Sequence, residues 1–336
     1  MAALNIEPQP RLPELFRASG ILPPLMLFDV GASEGLAKHF SIFGKDLRAV
    51  GFDPLLTEVE RLNREETNPN VKFEAAFIGC DQYDARLPSA FRQSRILSKD
   101  NSSFHRTSST RALAAMNMNY SQIVHNRGDV VRYADARYSL DEYVNRNEIA
   151  DADFLKIDTD GHDFEVLLGA ERMLRDCRVV GAEIEVLFHG SEHPQANVFH
   201  NIDHFMRQAG FTLFDLEVWR YSRGALPARF NNNFPSQTVS GSIQWGDALY
   251  FRDLADPEYA AMHDFPLDRD KLVKLACLFE LYSLPDCAAE LVLRAKQEQQ
   301  YDLPYEDILN ALTPGEEAYD AYVARFDQNP KAFYTF

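Results

Sequence analysis

Short apolar runs alternate with amphipathic segments through most of residues 25 to 210, and no other feature of the chain constrains its fold as strongly. The apolar runs have the length of buried strands; they are LMLFDV, LRAVGFD, VKFEAAFIG, DFLKID and VVGAEIEVLF. Between them, GLAKHFSIF, LLTEVERLN, DFEVLLGAERML and NIDHFMRQAG place apolar side chains at helical spacing. FTLFDLEVWR and GDALYFRD are typical of two later strands. This order predicts an α/β fold with a mainly parallel, doubly wound sheet.

The two ends of the chain differ from this alternating part. Prolines punctuate the first 24 residues. After residue 256, KLVKLACLFELYS, PDCAAELVLRAKQ and EEAYDAYVARF predict helices, and residues 256–336 hold 16 acidic and 7 basic residues. We therefore predict a lead-in segment over 1–24, a main domain over 25–255 and an acidic helical C-terminal extension over 256–336.

Charge and composition exclude several classes of protein. A net charge of −17 repels a phosphate backbone, so we expect no nucleic-acid partner. No apolar run approaches the roughly 20 residues of a membrane helix, and the N-terminus lacks the basic and apolar parts of a secretory signal. The four cysteines are widely spaced, which favours free thiols and a cytoplasmic location over a disulfide framework.

The segment FDVGASEG follows the first predicted strand and contains the first candidate ligand site. Gly31 allows a sharp turn, and Gly35 allows close packing of the segment that follows. Asp29 would repel a pyrophosphate but attract an ammonium or sulfonium group. This DxGxxxG pattern therefore suits S-adenosylmethionine better than NAD. Asp53 ends the second strand, where a carboxylate can accept hydrogen bonds from ribose hydroxyls.

A second cluster lies in FLKIDTDGHDFEVLLGAERML. Asp158 ends a buried strand, whereas Asp160 and Asp163 fit the N-cap and first turn of the next helix. His162 lies in the same turn and is a natural base for a substrate hydroxyl. An equally open interpretation is that His162 is a polar surface residue of a loop.

Two carboxylates share one face of VVGAEIEVLF. Glu183 and Glu185 are costly on a core strand unless they are paired, bound to a metal or opened to a cleft. Glu185 is nearer the end of the strand where such folds hold ligands, and Glu183 is expected to pair with a basic side chain. Asp158, Glu185 and two histidines of the following loop, His189 and His193, could together hold Mg²⁺.

Residues 86 to 137 carry an excess of basic side chains. One interpretation is a cap over the cleft that attracts an anionic acceptor, such as a phosphorylated or uronic glycan. The other is a solvated surface that balances an acidic protein.

The segments DVGASEG, AVGFDP, FLKIDTDGHDFEVLLGA and AEIEV resemble the FkbM-type S-adenosylmethionine-dependent methyltransferase family, with weaker similarity in NSS and WGDALYF. The resemblance spans about residues 26 to 252. It implies a class I, Rossmann-like methyltransferase fold and methyl transfer to a hydroxyl of a sugar, glycan or related natural product. The cofactor-binding positions that it implies are Asp29, Gly31, Ala32, Ser33, Gly35 and Ser102 around the methionine part, with Asp53 at the ribose.

The mechanism that we expect uses three candidate catalytic residues. His162 would act as the base, with Asp158 orienting it or holding the acceptor hydroxyl. Alternatively, Asp158 and Glu185 would hold an Mg²⁺ ion that acidifies the hydroxyl.

Two other functions stay open at this stage. One is a catalytically inactive methyltransferase-like binding module whose helical tail recruits a partner. The other is an NAD-dependent oxidoreductase or epimerase, which the missing third glycine and Asp29 disfavour. The apolar stripes of the tail helices could also be buried across a homodimer.

Overall fold

The computed structural model describes residues 9–80, 132–159, 161–188, 194–221, 239–315 and 317–333. The strands in chain order are β1 Leu25–Val30, β2 Leu47–Asp53, β3 Val71–Ala75, β4 Phe77–Ile78, β5 Arg137–Tyr138, β6 Phe154–Ile157, β7 Gly181–Leu187, β8 Thr212–Tyr221 and β9 Ser242–Phe251.

Helices alternate with these strands and then continue alone to the end of the chain. The α-helices are α1 Leu12–Ala18, α2 Leu56–Glu65, α3 Leu140–Arg146, α4 Asp163–Leu168, α5 Glu171–Asp176, α6 Phe199–Gln208, α7 Pro257–Met262, α8 Arg269–Leu281, α9 Pro285–Gln297, α10 Tyr305–Leu312 and α11 Tyr319–Gln328. Two 3₁₀ helices span Lys38–Asp46 and Pro330–Phe333.

Seven strands form one sheet in the order β3-β2-β1-β6-β7-β9-β8. The pairs β2–β3, β1–β6 and β6–β7 are parallel, whereas β9 runs antiparallel to both β7 and β8. Strands β2 and β3 lie on one side of β1, whereas β6 and β7 lie on its other side, so the strand order reverses between β1 and β6. Ligands of such sheets bind at the carboxyl ends of the strands near this point. The predicted mainly parallel sheet with helices and a C-terminal helical extension is confirmed.

The main core cluster lies on the sheet face that carries Phe28 of β1, Phe52 of β2, Leu155 of β6 and Ala182 of β7. Phe28 and Phe52 stack on this face with ring centroids 6.2 Å apart, and Tyr143 of α3 meets Phe52 edge-on at 4.9 Å. Apolar residues of α4, α5 and α6 complete the cluster. Each fully buried side chain of this size contributes about 1.5–3 kcal/mol relative to its exposed state.

Three predicted elements form differently from the prediction. GLAKHFSIF forms the 3₁₀ helix Lys38–Asp46 and not an α-helix, because Glu34 and Gly35 have φ of 70° and 99° and Gly44 has φ of 51°. DFEVLLGAERML breaks at Gly169 into α4 and α5. VKFEAAFIG divides into β3 and β4, and β4 pairs with β5 in a separate two-stranded sheet.

The chain divides into two compact units. The first comprises Met26–Ala37 and Leu47–Arg252, and the second comprises the described residues up to Leu25, then Lys38–Asp46 and the chain from Asp253 onwards. The division at residues 24 and 255 that the sequence suggests stays a prediction. In the described part of either unit, no helix is both long and apolar enough to cross a bilayer.

Glu280 of α8 organises the second unit. Its two carboxylate oxygens accept hydrogen bonds from the backbone N–H groups of Arg11 (2.8 Å) and Leu12 (2.7 Å), at the start of α1. Arg17, at the other end of α1, donates to Asp46 and to the carbonyl oxygens of Ile42 and Phe43. These bonds fix α1 to α8 and to the 3₁₀ helix Lys38–Asp46.

We expect Gly31→Ala to be far more damaging than Gly20→Ala. Both glycines have positive φ, 92° and 69°, so both substitutions meet the backbone strain of about 1–2 kcal/mol. A Cβ on Gly31 would also lie 1.7 Å from the carbonyl oxygen of Asp158, whereas a Cβ on Gly20 would meet nothing within 4 Å. Thermal denaturation should show a small loss for Gly20→Ala and little folded protein for Gly31→Ala; equal losses would contradict the close approach.

Candidate active site

The glycine turn after β1 joins the ends of three strands. The N–H groups of Gly31 and Ala32 donate to the carbonyl oxygen of Phe52 in β2 at 2.9 and 3.0 Å, and the N–H of Gly35 donates to Ala32 at 3.1 Å. Gly31 also packs against the backbone of Asp158, which follows β6. The carboxyl ends of β1, β2 and β6 therefore meet around a turn of small residues, whose backbones approach closely because Gly31 has no side chain.

Asp53 ends β2 with both carboxylate oxygens already hydrogen-bonded. Oδ2 accepts from the hydroxyl of Ser33 at 2.6 Å and Oδ1 accepts from the N–H of Leu55 at 2.7 Å. Burial raises the pKa of Asp53, and these two hydrogen bonds oppose the rise. Each oxygen can accept a further bond, so the carboxylate is oriented by the protein and can still bind two hydroxyls.

Asp29 lies beneath the turn and is only 1% exposed. Its Oδ1 has no hydrogen-bond partner within the described residues, and the Nζ of Lys156 lies 4.0 Å away. Burial raises the pKa of Asp29 to about 7; Lys156 lowers this pKa, and Asp158, Glu183 and Asp53 raise it. A buried carboxylate oxygen without a donor is costly and indicates a ligand that supplies one.

Asp163 holds the turn between β6 and α4. Its Oδ1 accepts from the N–H and the hydroxyl of Thr159, both at 2.8 Å, and its Oδ2 accepts from the side chain of Asn197 at 2.9 Å. Asp163 is in the first turn of α4, as the sequence suggested, but its oxygens bind the preceding turn and not the amides of the helix. This network fixes the backbone on which Asp158 and His162 sit.

His162 and Asp158 have different partners. His162 is the N-cap residue of α4 with a half-exposed side chain, and its Nδ1 lies 3.8 Å from Oε2 of Glu165. The Oδ2 of Asp158, in a side chain that is 49% exposed, accepts from the Nζ of Lys156 at 3.1 Å. Among the described residues, His162 is thus paired with Glu165, and Asp158 is paired with Lys156.

A row of carboxylates crosses the last three strands of the sheet. Glu185 of β7 lies directly opposite Asp247 of β9, which lies opposite Glu217 of β8, so all three share one face. The pKa of Asp247 is raised to about 7, chiefly by burial and also by the charges of Glu183, Asp158 and Glu217, against the opposing charge of Lys156. Near neutral pH, Asp247 can therefore both bind and release a proton.

Two tryptophans lie one step nearer the carboxyl edge on that face. Trp245 pairs with Leu187 at the end of β7 and with Trp219 of β8. The two indole rings stack with centroids 4.3 Å apart and an interplanar angle of 10°. Both side chains are half-buried, so the pair offers a flat apolar surface beside the carboxylate row.

Part of the predicted site lies outside the described residues. This applies to Ser102, Asp160, His189 and His193 and to residues 86–131 of the basic segment. Of its described members, Arg132 pairs with Glu60, and the guanidinium of Arg137 lies 4.1 Å from the ring centroid of Phe77. The described residues contain no group of three or more His, Cys, Asp or Glu side chains arranged to hold a metal ion.

Sequence reasoning missed three residues of this site. Lys156 carried a usable signal, because a lysine inside the otherwise apolar run FLKI needs a buried partner. Asp247 carried a similar signal within the apolar strand GDALYF. Glu165 had only the i, i+3 spacing from His162, which many surface pairs share.

Comparison with known proteins gives one strong match. Residues 29–213 match the sequence profile of the methyltransferase FkbM domain. No functionally curated protein is detectably similar to the chain.

Several solved structures are similar to the chain at low sequence identity. They include a TehB-like SAM-dependent methyltransferase from Corynebacterium glutamicum, with 8% identity, 72% of this chain and 87% of that chain covered, and a TM-score of 0.32. The N-terminal domain of EvdMO1 with SAH bound has 11% identity, coverage of 73% and 82%, and a TM-score of 0.30. Precorrin-6y C5,15-methyltransferase from Geobacter metallireducens has 9% identity, coverage of 75% and 93%, and a TM-score of 0.30.

We expect Asp247→Asn to stabilise the free protein at high pH. The pKa of Asp247 is about 7 in the fold and near 3.9 in the unfolded chain, so ionisation of Asp247 disfavours the fold as pH rises between these values. The variant should gain about 2–4 kcal/mol in unfolding free energy at pH 8, and the gain should shrink towards pH 5. Asp215→Asn, at an exposed aspartate on β8, is the control; a gain that is the same at every pH would contradict this account.

Proposed function

The chain belongs to the FkbM family of S-adenosylmethionine-dependent methyltransferases, and from this membership we propose that it transfers a methyl group to a hydroxyl oxygen of a sugar, glycan or related natural product. The observation that carries the cofactor part is the buried Oδ1 of Asp29, which lacks a hydrogen-bond donor beside the glycine turn. Among the chemical groups of S-adenosylmethionine, an ammonium group supplies such a donor together with the positive charge that a buried carboxylate requires.

The residues around the turn fit this cofactor. Asp29 would bind the ammonium group of the methionine part, and the small residues Ala32 and Gly35 would let the cofactor approach the backbone. Gly31 instead lets the backbone of Asp158 pack against the turn. Asp53 would accept hydrogen bonds from the ribose hydroxyls while Ser33 holds its carboxylate in place. When bound, the cofactor supplies a methyl group activated by a positively charged sulfonium.

The acceptor that we propose is a neutral or amino-bearing polyhydroxylated molecule. Stacked indole rings bind the apolar faces of sugar rings, and the neighbouring carboxylates accept hydrogen bonds from hydroxyl or ammonium groups. The row Glu185, Asp247 and Glu217 would repel an anion. An anionic acceptor, suggested by the basic segment, is therefore the second candidate, and it would need the part of that segment outside the described residues.

Two side chains compete for the role of the base. His162 is at the start of α4, and Glu165 can hold a protonated imidazole. Asp247 is the alternative, because a carboxylate with a pKa near neutrality is suited to proton transfer at physiological pH. In either case the protein has two tasks, to align the acceptor oxygen and to take its proton.

Magnesium offers a different route to the same reaction. Asp158 and Glu185 are the ligands that we propose for it, because a hard cation takes carboxylate oxygens and would acidify an acceptor hydroxyl. Removal and replacement of the metal separate this route from general-base catalysis.

We expect S-adenosylhomocysteine to stabilise the protein against heat and NAD to have no effect. A ligand at 100 times its dissociation constant adds about 2.7 kcal/mol to the unfolding free energy. Asp53→Ala should abolish most of the shift, because it removes the acceptor of the ribose hydroxyls, and Ser33→Ala should reduce it less. Glu60→Ala, at an exposed glutamate of α2, is the control. A shift with NAD alone would instead favour an oxidoreductase.

We expect one residue of the cluster to lower turnover by about 10²- to 10⁴-fold when it is replaced, while binding of S-adenosylhomocysteine stays intact. The measurement is formation of S-adenosylhomocysteine with neutral sugars, amino sugars and uronic acids as acceptors. His162→Ala and Asp247→Asn test the two bases, and His204→Ala, at an exposed histidine of α6, is the control.

The metal route gives a different pattern in the same assay. EDTA should abolish turnover, Mg²⁺ should restore it, and Glu185→Gln should mimic the loss. Tight cofactor binding without turnover on any acceptor would favour an inactive binding module.

A further inference from the structure

Lys156 is a charged residue in the middle of the sheet. It lies on β6, with Asp29 of β1 as its register neighbour on one side and Glu183 of β7 on the other. The other three residues of β6 are buried and apolar, and the Lys156 side chain is only 15% exposed. Burial of a charged lysine at this position costs free energy unless neighbouring carboxylates compensate its charge.

Acidic groups outnumber Lys156 around Asp29. The charged groups that face Asp29 are Lys156 and Asp158 from β6, Glu183 from β7 and Asp53 from β2. Lys156 is the one cation among them, and the three other carboxylates all disfavour a negative charge on Asp29. The carboxylates in turn favour the charged form of Lys156 and raise its pKa, so the lysine keeps its charge throughout the physiological range.

The distances show that Lys156 is bonded to a different carboxylate. Its Nζ donates to Oδ2 of Asp158 at 3.1 Å, whereas Oδ1 of Asp29 is 4.0 Å away and has no hydrogen bond in the described region. Lys156 therefore acts on Asp29 through its charge and does not hydrogen-bond to Oδ1 of Asp29. A lysine that only neutralised its neighbours would be expected to bond Asp29 directly, because Asp29 is the most deeply buried of them.

We propose that Lys156 is a positioning residue of the cofactor site, whose charge favours the ionised form of the Asp29 carboxylate while leaving its Oδ1 free for the ammonium group of the cofactor. This role rests on the proposed function. It makes cofactor affinity depend on pH near neutrality, because only the charged form of Asp29 attracts an ammonium group.

The test is calorimetric titration of S-adenosylhomocysteine into the free protein between pH 6 and 9. Wild-type affinity should fall by about tenfold per pH unit below pH 7, as Asp29 is protonated. Lys156→Met should shift this fall to higher pH, so that affinity at pH 7.5 drops by about tenfold or more and recovers as pH rises. Lys156→Arg should retain the wild-type profile, because it restores the charge.

A second variant, Glu183→Gln, should shift the pH dependence of affinity in the opposite direction. The test therefore does not depend on whether Lys156→Met folds. Glu183→Gln removes a negative charge that faces Asp29, so the fall in affinity should move to lower pH. Lys72→Met is the control, since it removes an exposed lysine from β3, where Lys72 pairs with Glu74.

Different results would contradict the proposed function and the proposed role of Lys156. Wild-type protein that fails to bind S-adenosylhomocysteine at any pH would overturn the proposed function and the role of Lys156 together. Binding by the wild type, with Lys156→Met weakened equally at every pH or with Glu183→Gln unshifted, would overturn the role of Lys156 alone. In that case the lysine would serve only to stabilise the sheet.

Discussion

The absence of a side chain at Gly31 is the constraint on which the site depends. Its N–H bonds to the end of β2, its α-carbon faces the backbone of Asp158 after β6, and it directly follows β1. Three strand ends can converge there because nothing larger than a hydrogen separates them. This convergence brings Asp29, near the end of β1, and Asp53, at the end of β2, to the same edge of the sheet.

The charged side of the sheet shows how function and stability oppose each other in this chain. Asp29 and Asp247 both have pKa values raised to about 7, mainly by burial, so the fold becomes less favourable as they ionise. An apolar residue at either position would give a more stable sheet. Buried carboxylates with raised pKa values are frequent at functional sites, and the lost stability at Asp29 and Asp247 is consistent with the proposed role of this face.

Periodicity predicted the central strands closely, because buried runs bounded by glycine, proline or charge have few alternatives. β1, β2 and α9 begin and end where the sequence predicted. Periodicity failed where tertiary contacts or backbone conformation determine the structure. Helix α1 is short and its first turn is held by Glu280. The segment Lys38–Asp46 is a 3₁₀ helix that follows two residues with left-handed backbone conformation, Glu34 and Gly35. In the site, strand ends predicted positions such as Asp53. The partners of Asp53 and Asp163 could not all be predicted, because Ser33 and Asn197 are 20 and 34 residues away along the chain.

The hydrogen bonds that Glu280 accepts from the start of α1 also set an order of events during synthesis. Glu280 follows Arg11 by 269 residues. At about 5–20 residues per second, a ribosome takes on the order of ten seconds to a minute to make that stretch. Until α8 is made, α1 has, among the described residues, only the 3₁₀ helix Lys38–Asp46 as a partner, and every strand of the seven-stranded sheet emerges before α8. The buried faces of Leu12 and Phe16 are therefore exposed in the nascent chain and are candidates for holding by a chaperone until the last helices arrive.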